Sequence, residues 1–259
     1  VLLAQSAEPE ERRTTVWRLE GLQTGFCVQL LLDPSKLDPQ MTGGARPARA
    51  DAVADLHPAL RNVIATQPEF ASWSPSTLCL YYVSTVDAGP FKVSGSNPAK
   101  APLIGAWSVA ATEGKGTRHV ALTAFTNYGR LQRAAGLEKL ELKRIRSEVD
   151  SVMDEEAPEP LRIGTRFRIR LGKAHLIWDG RLTDDSTRAA GPASSEWLVP
   201  GSGRRTVARV SLSPDWTRAM VGSLRVEGKG DFAEALKASP IRFVGPAFTG
   251  GGGEFAFGR

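Results

Sequence analysis

Apolar residues fall mostly in short runs that either alternate with polar ones or fill a few consecutive positions, which is the period of strands more than of helices. Thr14 to Leu19 and Gly25 to Leu32 predict two early strands joined by a short turn, the second ended by Asp33-Pro34, where proline removes a ladder donor. Residues 33–49 are poor in apolar side chains and read as an exposed loop. Pro58 suits a first helical position, and Leu60, Val63 and Ile64 give the following helix one apolar face. Thr77 to Val86 and Leu103 to Ala111 predict buried strands, with a Gly-, Ser- and Pro-containing loop between them. His119 to Phe125 fits either a strand or a helix, a known ambiguity of short apolar runs. Thr126 or Asn127 would cap a helix through Leu131 to Ala135 that stops at Gly136, and residues 137–149 read as a charged strand.

The pattern breaks over residues 151–160, where Asp154, Glu155, Glu156, Pro158, Glu159 and Pro160 make an acidic, proline-containing linker or long loop. Beyond it, Leu161 to Leu171 and Ala174 to Leu182 form the clearest hairpin, with Gly172-Lys173 as a turn that starts on glycine. Residues 184–195 read as a mobile loop, then strands follow at Thr206 to Leu212 and Ala219 to Val226, a short helix near Phe232 to Ala238, and strands at Ile241 to Val244 and Glu254 to Phe257. These elements predict an α+β class, β-rich, with mainly antiparallel sheets and a few short helices. The chain divides into a disordered N-terminus or signal-peptide remnant (1–13), an N-terminal α+β domain (14–150), the linker (151–160) and a C-terminal β-rich domain (161–259), unless the two halves join as one domain. A strand entering a Glu-Gly-Lys-Gly turn occurs at Ile104 to Gly116 and again at Val221 to Gly230; duplication and convergence both account for the echo.

Composition adds bounds more than identity. The chain has 259 residues, 41% hydrophobic and 24% charged, which suits a folded globular protein able to bury a core. No stretch approaches the roughly 20 apolar residues of a membrane-spanning helix. With 33 cations against 28 anions the net charge is +5, too dilute to point to nucleic acid. Val1-Leu2-Leu3-Ala4 before Gln5-Ser6-Ala7 resembles the end of a signal peptide, which predicts a periplasmic or extracellular location. The two cysteines, Cys27 and Cys79, each sit in a predicted strand and would bond in an oxidising compartment; the alternative is two buried thiols.

No motif carries recognisable chemistry. A Gly-x-Ser-x-Gly elbow is absent, and Gly201-Ser202-Gly203 reads as a turn. Gly114-Lys115-Gly116-Thr117 lacks the Gly-Lys-Ser/Thr adjacency of a phosphate loop. His57, His119 and His175 lie far apart and are expected to be structural, and a pairing of Cys79 with His119 has no support from sequence. No catalytic, cofactor or metal residue is therefore predicted. Two features suggest a working surface. Arg166, Arg168 and Arg170 alternate with Phe167, Ile169 and Leu171, so they line one strand face about 7 Å apart, extended by Arg162 and Lys173, where an anionic ligand would dock unless neighbouring carboxylates neutralise the row. Trp197, Leu198 and Val199 form an apolar triplet in a loop that either folds back on the body or anchors a partner.

Together these predict a non-catalytic exported protein that binds a protein or envelope partner, such as an extrinsic accessory subunit of a membrane-associated assembly. The alternatives are a hydrolase whose site assembles from scattered residues and a polyanion- or carbohydrate-binding module.

Overall fold

The run from Thr15 to Leu32 forms one long strand, β1, where the pattern predicted two strands and a turn. The register against its neighbour shifts between Leu22 and Thr24. An irregularity of this kind absorbs an extra residue without ending the ladder, so the two apolar runs stay in line. The computed structural model describes residues 15–37, 45–53, 58–88, 91–94, 102–113, 116–137, 142–153, 163–188, 193–199, 206–245, 247–249 and 252–258. The expected leader at 1–13, His57, the 154–160 part of the acidic stretch, Gly114-Lys115 and Gly201-Ser202-Gly203 lie outside those residues.

The remaining strands of the first half are β2 (Arg46–Pro47), β3 (Ser74–Ala88), β4 (Phe91–Ser94), β5 (Leu103–Glu113), β6 (Gly116–Thr126), β7 (Leu142–Arg144) and β8 (Arg146–Met153). The second half contributes β9 (Ile163–Leu171), β10 (Ala174–Arg188), β11 (Ala193–Val199), β12 (Thr206–Ser213) and β13 (Trp216–Gly228). The chain closes with β14 (Arg242–Val244), β15 (Ala247–Thr249) and β16 (Gly252–Gly258). Three helices accompany them, α1 (Pro58–Thr66), α2 (Gly129–Leu137) and α3 (Asp231–Ala238). The class is α+β with mixed, mostly antiparallel pairing.

One set of pairings returns to its starting point. β1 pairs with β3, β3 with β5, β5 with β6, β6 with β11, β11 with β12, β12 with β16, and β16 with β1, which closes a barrel of seven strands. Every contact in the ring is antiparallel except β6 with β11. That parallel pairing decides the ambiguous run at His119 in favour of a strand. Strands on both sides of residues 151–160 meet in this ring, through β1 with β16 and β6 with β11.

A second layer grows from the far half of β1. There β1 pairs with β15 and β14, β15 with β13, and β13 continues through β10 and β9 to β8. This layer folds over the outside of the barrel: Leu78, Leu80, Trp107 and Val120 share one buried cluster with Ile169, Leu176, Trp178 and Met220. Phe232 and Leu236 of α3 fill the same cluster, and Phe232 meets Trp107 edge-on with ring centroids 5.1 Å apart. Leu60 of α1 belongs to a smaller cluster with Leu31 and Ala50.

Local signals explain most element ends. Gly172 takes the left-handed conformation, φ 60°, in the turn between β9 and β10, as the glycine-first turn requires. Thr126 Oγ1 accepts from the Tyr128 amide at 3.1 Å ahead of α2, while the Asn127 side chain accepts from Leu103 N. Of residues 184–195, expected as a loop, those up to Arg188 extend β10 and those from Ala193 begin β11, so these two parts are corrected to strand. The two Gly-Lys-Gly segments are used differently. Glu113 and Gly116, on either side of the first, pair as the ends of β5 and β6, and the second leads from β13 into α3.

Cys27 and Cys79 stand directly opposite each other on β1 and β3 and form a disulfide. They are separated by 52 positions, and closing such a loop removes about 4 kcal/mol of unfolded-chain entropy in the chain model. Reduction, or the double replacement Cys27→Ser/Cys79→Ser, is expected to lower unfolding stability by up to about that amount. Urea unfolding midpoints with and without reductant measure the difference, and equal midpoints would show that the bond adds nothing.

Candidate active site

A closed ring of strands has an inner face, and cross-ring contacts identify it. Tyr81 on β3 and Trp197 on β11 approach with ring centroids 6.4 Å apart, although three pairings separate their strands around the ring. Cys79, Tyr81, Val83, Ile104, Ala106, Ala121, Ala124, Trp197 and Leu212 form one cluster, with Cys27 packed against it. Residues from β1, β3, β5, β6, β11 and β12 can touch one another in this way only across the barrel interior. Leu131, Ala134 and Ala135 of α2 pack against the same cluster.

The inner face alternates bulk with space. Tyr81 lies opposite Gly25, where an added Cβ would come within 2.6 Å of the tyrosine ring. Alanines at 106, 121 and 124 are the small side chains of the same cluster as the two large aromatic rings. A barrel of this strand number has an interior that side chains nearly fill, or that holds one small ligand.

Polar groups interrupt this apolar lining. The Tyr81 hydroxyl lies 3.7 Å from Cys27 Sγ, and as a disulfide sulfur carries no proton, the hydroxyl is the donor. Burial holds the Tyr81 phenol protonated far above the ordinary tyrosine range, so it acts as a neutral donor. His119 sits on β6 in register with Trp197 on one side and Ala110 on the other. It is two residues from the inward-facing Ala121, so it shares the inner face. Its Nδ1 is sealed from solvent with no hydrogen-bond partner among the described residues. Desolvation lowers its pKa, which keeps the imidazole neutral. A buried polar atom left without a partner costs free energy, so in a native interior it marks a place where something else supplies the bond.

The residues singled out from sequence are distributed differently. Trp197 is only 7% exposed, so of the two alternatives it folds back on the body, as a barrel-lining residue of strand β11 and not of a loop. Leu198 and Val199 continue that strand opposite Val207 and Thr206. Arg166, Arg168 and Arg170 lie on β9 in the outer layer, away from the interior. His175 is half-buried on β10, beside Arg170 on β9 and Glu227 on β13. Cys79 is bonded to Cys27 and has no thiolate to offer His119. Sequence gave no sign of His119 as an interior group, because its surroundings come from β5 and β11 and from ring closure.

No family model matches the chain, and no curated protein matches its sequence. Solved structures follow a similar course at low identity. An acetoacetate decarboxylase-like enzyme from Sphingomonas wittichii RW1 is 12% identical over 99% of this chain and 96% of its own, with a TM-score of 0.47. The enduracididine biosynthesis enzyme MppR, complexed with pyruvate, is 14% identical over 93% of this chain and 87% of its own, at 0.49. The acetoacetate decarboxylase from Legionella pneumophila is 10% identical over 99% and 96%, at 0.48. No residue role or reaction is carried over from likenesses at this level. The neighbours are nonetheless enzymes, and on that finding the expectation of a non-catalytic accessory subunit that binds a protein or envelope partner is withdrawn.

The buried imidazole makes stability depend on pH. The folded state resists protonation of His119 while the unfolded chain takes up a proton at the ordinary value of about 6.5. Its contribution is therefore fully present above that value and is lost as the pH falls below it toward the lowered folded value. Thermal unfolding should weaken over this interval in the parent protein, and the His119→Gln variant should show a shallower slope. An identical slope in both would place the titrating group elsewhere.

Proposed function

We propose that the chain is an enzyme that moves a proton on a small molecule held inside the barrel, with His119 as the base and Tyr81 as a hydrogen-bond donor. The observation that carries this reading is the sealed Nδ1 of a neutral histidine on the inner face, without a hydrogen-bond partner among the described residues. A neutral imidazole accepts a proton at physiological pH, and a desolvated one is poised for general-base work. A phenol kept neutral by burial can turn its one proton from Cys27 Sγ to an oxygen on which negative charge develops. Trp197, in register with His119 and with its ring 6.4 Å from that of Tyr81, offers a flat apolar wall for the substrate. A base and a donor on one apolar lining suit removal of a proton next to a carbonyl, so the substrate class is a small carbonyl compound.

The reading assigns no role to a lysine. The lysines with described side chains, Lys36, Lys143, Lys173, Lys229 and Lys237, are exposed. The disulfide supports an oxidising compartment, for which a periplasmic or extracellular location is proposed. No helix among the described residues is long and apolar enough to cross a membrane.

Deuterium wash-in from D2O into acetone, pyruvate and acetylacetone, followed by proton NMR, tests the reading. The protein should accelerate exchange of at least one compound beyond its own weight of free imidazole. His119→Gln should lower that rate by about 100-fold or more while circular dichroism and thermal midpoint stay near the parent's. Equal rates in both proteins, or no acceleration at all, would overturn it.

A further inference from the structure

The arginine row on β9 is divided by the strands beside it. Arg166 stands between Asp150 of β8 and Asp179 of β10. Arg168 stands between Glu148 and Ile177, and Arg170 between Arg146 and His175. Arg146, Arg168 and Arg170 are exposed, and none forms an ion pair with a carboxylate among the described residues. The Arg170 Nε donates to the Gly172 carbonyl at 3.2 Å, which fixes the root of the guanidinium beside the turn.

Arg146 and Arg170 are thus like charges directly across a strand pair, an arrangement that destabilises a sheet. Cross-strand neighbours lie about 5 Å apart, and Arg168 is about 7 Å along the same strand face. The three cations form a triangle within reach of one another's long side chains. Lys173, exposed in the turn, adds to the positive field.

We propose that Arg146, Arg168 and Arg170 form a binding site for a single doubly charged oxyanion, the phosphate or sulfate group of a small soluble ligand. Guanidinium forks match such oxygens bidentately, and a bound dianion turns the Arg146–Arg170 repulsion into shared attraction. The surrounding charges limit its extent. Asp150 and Asp179 flank the row at Arg166, Glu148 lies opposite Arg168, and Glu227 lies beyond His175. A long polyanion laid along β9 would meet all of these carboxylates, whereas a single tetrahedral group at the Arg146–Arg170 corner would have only Glu148, opposite Arg168, beside it. The site is therefore smaller than the full arginine row and unsuited to a nucleic-acid backbone.

Calorimetric titration with inorganic phosphate at constant ionic strength, with acetate as the singly charged control, tests the site. Binding should saturate for phosphate and not for acetate. Arg146→Ser/Arg170→Ser should weaken phosphate by about tenfold or more, while Arg181→Ser, on the same face, should bind as the parent does. In phosphate-free buffer the double variant should unfold no earlier than the parent, since it loses a repulsion; this separates a lost site from a lost fold. Absence of saturable phosphate binding, or equal binding by the double variant, would overturn the proposal. Cosedimentation with anionic vesicles without a phosphate response would also overturn it and assign the face to a membrane surface.

Discussion

When a sheet closes on itself, backbone hydrogen bonds alone create an interior, and side chains far apart in sequence are forced to share it. Here closure depends on the parallel contact of β6 with β11 and on β16 returning to β1. Without the first of these, Tyr81 and Trp197 would belong to separate edges. With both in place they approach across the ring, and the histidine in register with Trp197 is carried inside. The burial that keeps Tyr81 protonated and His119 neutral follows from that closure. Within the ring no strand is left as an edge, whereas β8 remains the outer strand of the second layer.

β1 serves both layers. Its length lets one end complete the barrel against β16 while the other carries β14 and β15 toward the second layer. The cross-strand disulfide pins β1 to β3 at the barrel wall, and its sulfur lies beside the Tyr81 hydroxyl. Outside, Trp107, Trp178 and Phe232 fill the space between the layers. Apolar burial thus operates on both faces of β3, β5 and β6, which explains why those strands read as nearly continuous apolar runs. The arginine face remains outermost, on β8 and β9, none of whose described side chains belongs to the barrel-lining cluster.

Local features were legible where the determining residues are neighbours in sequence. The Gly172 turn, the start of α1 at Pro58, α3 and the α+β class follow from period and turn chemistry. The disulfide was legible because each cysteine sits within an alternating apolar run. The long β1 was not, since an irregularity near Gln23 has the same composition as a turn. Trp197 appeared hard to bury because nothing nearby in sequence covers it; its partner ring comes from β3. His119 was missed for the same reason. Its role depends on Ala110 and Trp197 in other strands, and no spacing pattern encodes a partnerless nitrogen. The charge balance along β9 likewise needed the register of β8 and β10.

The cross-ring approach of Tyr81 and Trp197 is the most direct test of closure. A nuclear Overhauser measurement on protein with selectively labelled tyrosine and tryptophan reports proximity between the two rings. Closure predicts a cross-peak between Tyr81 ring protons and the Trp197 indole that disappears in Trp197→Phe. No cross-peak in folded, oxidised protein would mean that the ring does not close and that His119 has no interior to face.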